Sequence, residues 1–386
     1  MNPETVSLLF ALLRSAIRGT PLTETERAAC SAERLRELCS IAKSHDLLHL
    51  LALGIKQNHL LAEMPAALEN AIMKAAYRYE QLNYTYNTLV DILEEAEIPF
   101  LPLKGSILRD RYPEPWMRTS CDVDVLVHPE DLDRAVVALT EKGGFSYQGK
   151  TSHDVSLSAP NQMSVELHYD LVEEGLANEA SAVLAAIWQV VSVREESRFF
   201  YVMPDEYFYF YHIAHMAKHV ANGGCGIRPF IDLWILDRLD GADVARRDEL
   251  LAQGRLQTFA DAARTLSRVW MEGHAPDAIS HDLEAYLLCG GVYGTMDNRV
   301  AVQQTKKGGK LRYALSRLWL SYDIIKFHYP ILQKRRWLLP FMQVRRWGKL
   351  IFCGGLRRSA NELHTTASLS SDRAQRVATL LKNLEI

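Results

Sequence analysis

Two aspartates, Asp122 and Asp124, stand two residues apart in "CDVDVLV", an otherwise apolar run. In a strand, residues i and i+2 face the same side. The two carboxylates therefore project together, while Cys121, Val123 and Val125 take the opposite face. Carboxylates so placed repel each other unless a cation neutralises them, and hard divalent ions, Mg²⁺ above all, suit oxygen ligands. The plain alternative is a surface strand with its acids in water. A third acid, Glu166, stands alone between Val165 and Leu167 in "SVELHYDLV". If the two strands pair side by side, three carboxylates converge.

Ahead of the aspartates, Lys104-Gly105-Ser106 follows the apolar "PFLPL" and precedes "ILRDRY", a plausible helix start. Glycine lets backbone approach a ligand closely, and a helix start offers N–H groups to phosphate oxygens. Ser106 adds a hydroxyl and Lys104 a point charge. By itself this is an ordinary turn. Facing three carboxylates, it supplies what metal-assisted nucleotidyl transfer needs. One Mg²⁺ would hold a triphosphate and orient its α-phosphorus, and a second would lower the pKa of the attacking hydroxyl. The turn would position the outer phosphates so that pyrophosphate leaves in line.

The surrounding polar residues have two readings each. Arg118, as a bidentate donor, could hold a phosphate or orient Asp122, or it is a solvent-facing loop residue. His168 lies two residues after Glu166 and shares its side, where it could contact base, sugar or metal, or simply pack. His212, His215 and His219 share a helical face, and with Asp232 as a fourth ligand they could bind zinc, although no cysteine accompanies them. The alternative puts His215, Lys218 and Arg228 on an anion-binding wall of a cleft. Core or surface packing is the plain reading.

The stretches "LPLKGSIL", "MRTSCDVDVLV" and "VELHYDL" together resemble the DNA polymerase β-type nucleotidyltransferase superfamily. The nearer resemblance is to the bacterial uncharacterised nucleotidyltransferase family, in its Lys-Gly turn, its Arg ahead of Asp-x-Asp, and the later "HIAHMAKHVANGGCGIRPFIDLWIL". The resemblance spans about 98–240. It implies that Gly105 and Ser106 hold the triphosphate and that Asp122, Asp124 and Glu166 bind two Mg²⁺ ions, with Mn²⁺ as a substitute. Glu166 would stand nearest the attacking hydroxyl. Two departures from the pattern are the single glycine of the turn, where many relatives have two, and Glu in place of Asp as the third acid.

The elements that must position these residues follow from hydrophobic periodicity. Residues 1–97 read as helical, with Ser31 as a helix cap and a long helix from Pro65 to Glu97. The texture changes over 98–203, where short apolar runs, alternating segments and the helical "DLDRAVVALTEKGGF" make a small catalytic domain closed by a hairpin in "VVSVREESRFFYV". Residues 204–300 return to helix, and 301–386 form a basic, aromatic-rich tail with a polar linker at "TTASLSSD". The expected fold is α+β: a minimal polymerase β-type mixed sheet with flanking helices, between N- and C-terminal helical regions. The cleft should lie between the sheet and the "HIAHMAKH" helix.

The net charge of -3 does not point the whole chain at nucleic acid or membrane, but the distribution is uneven. Twelve Lys or Arg lie between Lys306 and Lys349 against one acid, Asp323. They are mixed with Trp319, Tyr322, Phe327, Tyr329, Trp337, Phe341 and Trp347, a composition that suits RNA, an anionic polymer or an anionic lipid surface. Inward-packed aromatics under a solvated basic surface are the simpler alternative. The six cysteines show no paired spacing, as expected of reduced thiols in the cytoplasm. The N-terminus reads as an amphipathic helix rather than a signal peptide, and no transmembrane segment is expected.

The leading expectation is an enzyme that moves a nucleoside monophosphate from an NTP to a hydroxyl. The acceptor class stays open among a small molecule, a tRNA, a peptide and a protein. A catalytically silent nucleotide- or RNA-binding protein on the same fold is the alternative, and a zinc protein built on the histidine face is a third reading.

Overall fold

Local signals account for most of the helix boundaries. In the computed structural model, which describes residues 2–172, 178–292, 294–307, 312, 319–322, 325–326, 329–352 and 371–386, five helices precede the sheet. They are α1 (Pro3–Arg18), α2 (Glu24–Ala28), α3 (Ala32–Ser44), α4 (Leu48–Gln57) and α5 (Ala66–Glu95). Asn2 and Ser31 cap α1 and α3 by accepting from backbone N–H groups of the first turn, and Gly19 ends α1 with a φ of 68°. Next come β1 (Phe100–Pro102), the single turn α6 (Gly105–Leu108), β2 (Asp122–Val127), α7 (Leu132–Gly143), β3 (Ser146–Lys150), β4 (Asp154–Ser158) and β5 (Ser164–His168). After α8 (Asn178–Ala185), the hairpin of β6 (Ser192–Val193) and β7 (Tyr201–Val202) leads to the second helical region. That region holds α9 (Asp205–Val220), α10 (Arg228–Leu236), α11 (Val244–Gln253), α12 (Gln257–Glu272), α13 (Ala278–Leu288) and α14 (Met296–Lys307).

The sheet runs in the order β1-β2-β5-β4-β3. Its centre, β2 against β5, is parallel, and the outer pairs are antiparallel, so it is mixed as expected of an α+β chain. Strand β3 is the one the sequence signals least, because "SYQGK" lacks alternating apolar residues and is largely exposed at the sheet edge. One face of the sheet is apolar. Val123, Val125, Val127, Val155, Leu157, Val165 and Leu167 are buried there against Leu82, Leu89 and Leu93 of α5 and Ala135 and Leu139 of α7. The long helix α5 is therefore the floor beneath β2 and β5.

A second core joins the two helical regions that flank the sheet in sequence. Leu9, Leu12 and Leu13 of α1 and Leu50 and Leu51 of α4 are buried in one cluster with residues of α9, α10, α12 and α13. Phe10 stacks on Trp270 with ring centroids 4.5 Å apart. Arg14 and Arg18 donate to the carbonyls of Trp270 and Met271, tying α1 across the C-terminal end of α12. Helices α1, α3 and α4 thus pack with α9–α14 as one helical body, while α5 runs beneath the sheet. Among the described residues no helix is long and apolar enough to cross a membrane. Phe327, Asp323, Cys353 and most of "TTASLSSD" lie outside the described residues.

Candidate active site

Register decides what the polar face of the sheet presents. Because β2 and β5 run parallel, Asp122 pairs with Ser164, Asp124 with Glu166 and Leu126 with His168. Strand β4 then sets Asp154 opposite His168. Side chains alternate along each strand, so Asp122, Asp124, Glu166, His168 and Asp154 share the face opposite the valine and leucine core. The expected convergence of Asp124 and Glu166 is thus a matter of one register.

Ligand atoms of Asp124, Glu166 and His168 lie within 4.8 Å of one another, and this is the group among the described residues with the spacing to hold a metal ion. Asp122 projects from the same face but lies outside that group. His168 bridges the acids, with Nε2 3.0 Å from Asp124 Oδ1 and 3.5 Å from Glu166 Oε2. The two carboxylates fit a hard divalent cation of the Mg²⁺ or Mn²⁺ kind, whereas the His168 imidazole suits such an ion less well as a ligand and is engaged with Asp124.

Charge is tightly compensated here. Lys104 Nζ stands 3.4 Å from Asp124 Oδ1. Burial works against the Lys104 ammonium, but Asp124 first, then Tyr211, Glu166 and Asp122, more than reverse this and hold it protonated. Burial likewise works against the Asp124 carboxylate, and Lys104 and His168 overcome it, keeping the group far below the usual carboxylate range. For His168, burial is outweighed by hydrogen bonds to Asp124 and Glu166, and its pKa rises. At Asp122 the nearby cations, Lys104 and Arg228, are outweighed. Burial, and then the charges of Asp124 and Glu166, push its carboxyl up to about 6.

The turn ahead of β2 is built unusually. Lys104 holds a φ of 39°, a left-handed conformation that lysine adopts at a cost. The "ILRDRY" stretch makes a single α-turn and then a 3₁₀ turn at Arg109–Arg111, shorter than the helix start its sequence suggests. The N–H groups of Ser106 and Ile107 are engaged by the Leu103 and Lys104 carbonyls. The turn also carries the Ser106 hydroxyl, which is buried with no hydrogen-bond partner. Gly105 is required by crowding, since a Cβ there would lie 2.8 Å from Arg118 Nη1 and 3.2 Å from Ser120 Oγ. Arg109, which the sequence did not single out, donates from Nε to the Gly105 carbonyl at 2.8 Å and holds the turn from beneath.

Arg118 is neither solvent-facing nor paired with Asp122. Its Nε and Nη2 donate to the two oxygens of Asp232 on α10 at 3.1 and 3.0 Å, and Tyr112 donates to the same carboxylate at 2.7 Å. This buried fork leaves Nη1 against Gly105. Asp232 is thereby committed to Arg118 and Tyr112, and no metal group of His212, His215, His219 and Asp232 forms among the described residues. His212 bonds the Pro229 carbonyl through Nε2 at 2.9 Å. His215 and His219 place their Nε2 atoms 3.0 Å apart, and burial drives both pKa values down, His219 to about 2.

Helix α9 nevertheless lies over the polar face, where the cleft was expected. Its Tyr211 and His215 both act electrostatically with Lys104 and Asp124. Lys218 is lowered to about 8, by burial and then by Lys104, against the pull of Glu166 and Asp154. Arg228 reaches the site from the loop side, donating to the Thr119 carbonyl at 2.7 Å and to Asp46 Oδ2 at 3.4 Å. Tyr211, Asp154 and Arg109 are functional candidates that sequence reasoning missed. The one available signal for Asp154 was its place opening the alternating "DVSLS", and for Arg109 its position one helical turn after Gly105.

Residues 31–272 match the family described as "Uncharacterised nucleotidyltransferase". No curated protein matches the chain. Among solved structures, the solution structure of the antibiotic-resistance factor ANT(2'')-Ia is similar over 54% of this chain and 99% of that one, at 10% identity. The TM-score of that match is 0.27.

Proposed function

The chain belongs to the uncharacterised nucleotidyltransferase family, and from that premise we propose that it transfers a nucleoside monophosphate from an NTP to an acceptor hydroxyl. The acceptor hydroxyl gives its proton to Glu166 and thence to solvent, its oxygen forms a bond to the α-phosphorus, the bond from that phosphorus to the α,β-bridging oxygen breaks, and pyrophosphate leaves with the electron pair. The observation that supports this most is the parallel register setting Asp124 beside Glu166, with His168 in reach and the Lys104-Gly105-Ser106 turn at the same end.

Each residue has a part. Asp122, Asp124 and Glu166 would hold the divalent cations, with His168 orienting Asp124. Bound there, Mg²⁺ would offset the charge gathering on the phosphate oxygens and ease deprotonation of the acceptor hydroxyl. Ser106 donates to an outer phosphate, and Lys104, held protonated by Asp124, adds a fixed positive charge. Arg118 Nη1, anchored by Asp232, stiffens the turn. His215 and Lys218 line the α9 wall against the nucleotide, and Arg228 braces the loop ahead of β2.

The test is transfer of label from each α-labelled NTP with Mg²⁺, scored by pyrophosphate release. Replacing Asp122→Asn together with Asp124→Asn should lower the rate by about a thousandfold or more while the fold survives. Undiminished transfer in the folded double variant would refute the assignment. A second reading has its own support. Lys104 and His168 already neutralise Asp124 without a metal, as suits a protein that binds nucleotide and has lost transfer. Saturable NTP binding without pyrophosphate release, across a panel of small-molecule, RNA and protein acceptors, would favour it.

A further inference from the structure

Large apolar side chains are not exposed evenly over this molecule. Trp319, Ile331, Trp337, Phe341, Val344 and Trp347 are all exposed, and all fall within one short stretch of the chain. Much of that stretch is a helix, Leu339–Phe352. Its inner side is already packed. Leu338, Leu339 and Met342 pack on a small core of Leu320, Ile325 and Leu332, and the buried Gln343 donates to the Leu320 carbonyl at 2.6 Å. Trp337, Phe341 and Val344 follow at spacings of four and three, so they form a common face pointing away from that core.

The charge around this face has a single sign. Lys334, Arg335, Arg336, Arg345 and Lys349 are exposed beside it, and no acid occurs among the described residues from 319 to 352. Some of the cations are braced by aromatic rings, Arg336 over Tyr322 at 4.3 Å and Arg345 over Tyr329 at 5.7 Å. An outward apolar face carrying Trp and Phe, bordered by Lys and Arg, has the character of a helix lying in the headgroup boundary of a bilayer. Single-stranded RNA fits less well. Trp337 and Phe341 meet edge to face, at 86° and 6.4 Å, so they do not form parallel platforms for successive bases. Val344 and Ile331 have no π-face to offer at all.

We infer that this segment docks on an anionic lipid surface, inserting Trp337, Phe341 and Val344 while the basic side chains meet headgroup phosphates. The attachment is interfacial, in keeping with the lack of a membrane-crossing helix among the described residues. It is independent of the proposed transfer activity.

The full-length protein should co-sediment with vesicles of phosphatidylcholine containing about one-third phosphatidylglycerol, and not with phosphatidylcholine alone. Binding should weaken as salt rises. Arg335→Gln and Arg345→Gln should each weaken it about fivefold, and Trp337→Ser with Phe341→Ser should abolish it. These substitutions lie at exposed positions away from the sheet, and an unchanged melting temperature would show that the variants fold. Absence of binding to anionic vesicles at low salt would overturn the inference, as would binding that survives the double aromatic substitution. Binding to single-stranded RNA, lost in the same variants while vesicles are ignored, would overturn it in favour of RNA.

Discussion

Strands β2 and β5 carry two faces of opposite character on the same backbone. On one, Val123, Val125, Val165 and Leu167 are fully buried against α5 and α7. On the other, Asp122, Asp124, Glu166 and His168 crowd charge together beneath α9. The first face gains from water exclusion, with no geometry more demanding than close packing. The second holds like charges together, offset most closely at Asp124, where Lys104 and His168 both meet the carboxylate. A structure selected for stability alone would not keep the second face. That contrast predicts opposite responses to substitution.

The largest effect on stability belongs to neither face but to the charge that joins the sheet to the helical body. Asp232→Asn would leave the Arg118 guanidinium buried without its counter-ion, at 8% side-chain exposure. Breaking one partner of a buried pair costs about 3–5 kcal/mol, so the variant should unfold at markedly lower denaturant. The folded fraction should also bind NTP more weakly, because Arg118 no longer presses on the Gly105 turn. Wild-type denaturation of this variant would show that the pair contributes nothing.

On the apolar face, Leu157→Ala opens a cavity at a position with 1% exposure. A loss of about 2–5 kcal/mol is expected by chemical denaturation. Transfer per folded molecule should stay within about twofold, because residual activity reports the polar face and not the core beneath it. A large drop in activity per folded molecule would mean that the two faces are mechanically coupled.

On the polar face the sign reverses. The Asp122 carboxyl titrates near 6 in the folded protein, above the ordinary 3.8. Between those values the folded state retains a proton that the unfolded chain has lost. Stability of the metal-free protein therefore falls as pH rises through that window and stays lower above it. Asp122→Asn removes this cost. The variant should match the parent near pH 4 and exceed it at neutral pH by on the order of 1–3 kcal/mol, and Mg²⁺ should raise its melting temperature less than that of the parent. A variant less stable than the parent at neutral pH without metal would contradict the contrast.

The two faces were not equally legible in the sequence. Alternation in "CDVDVLV" and "SVELH" already separates valine from acid, and period two fixes which residues share a side. Helical periodicity and caps such as Ser31 likewise mark the flanking helices. What remained hidden are contacts between residues far apart in the chain. Arg118 and Asp232 pair across 114 positions, and α1 packs on α12 across a still longer separation. No local pattern encodes these. An acid between Ile231 and Leu233 says only that some cation must meet it, without saying which. Lys104 hides its conformation too, because nothing in a lysine's type marks a positive φ.

The smallest expected effect tests whether α9 belongs to the polar face at all. Lys218 titrates near 8, lowered chiefly by burial and then by Lys104. Lys104 itself stays charged well above that pH because of Asp124. If Lys218 meets the phosphates of an NTP, raising pH from about 7 to about 9.5 removes one positive charge from the nucleotide site and leaves the other in place. The KM for NTP should then rise a few-fold with an inflection near 8, while kcat changes little. Lys218→Met should show the raised KM at every pH and no inflection. A KM that stays flat for the parent across that range would take Lys218 out of the nucleotide site. The polar face would then consist of the sheet and its turn, with α9 as a lid that contributes no charge to binding.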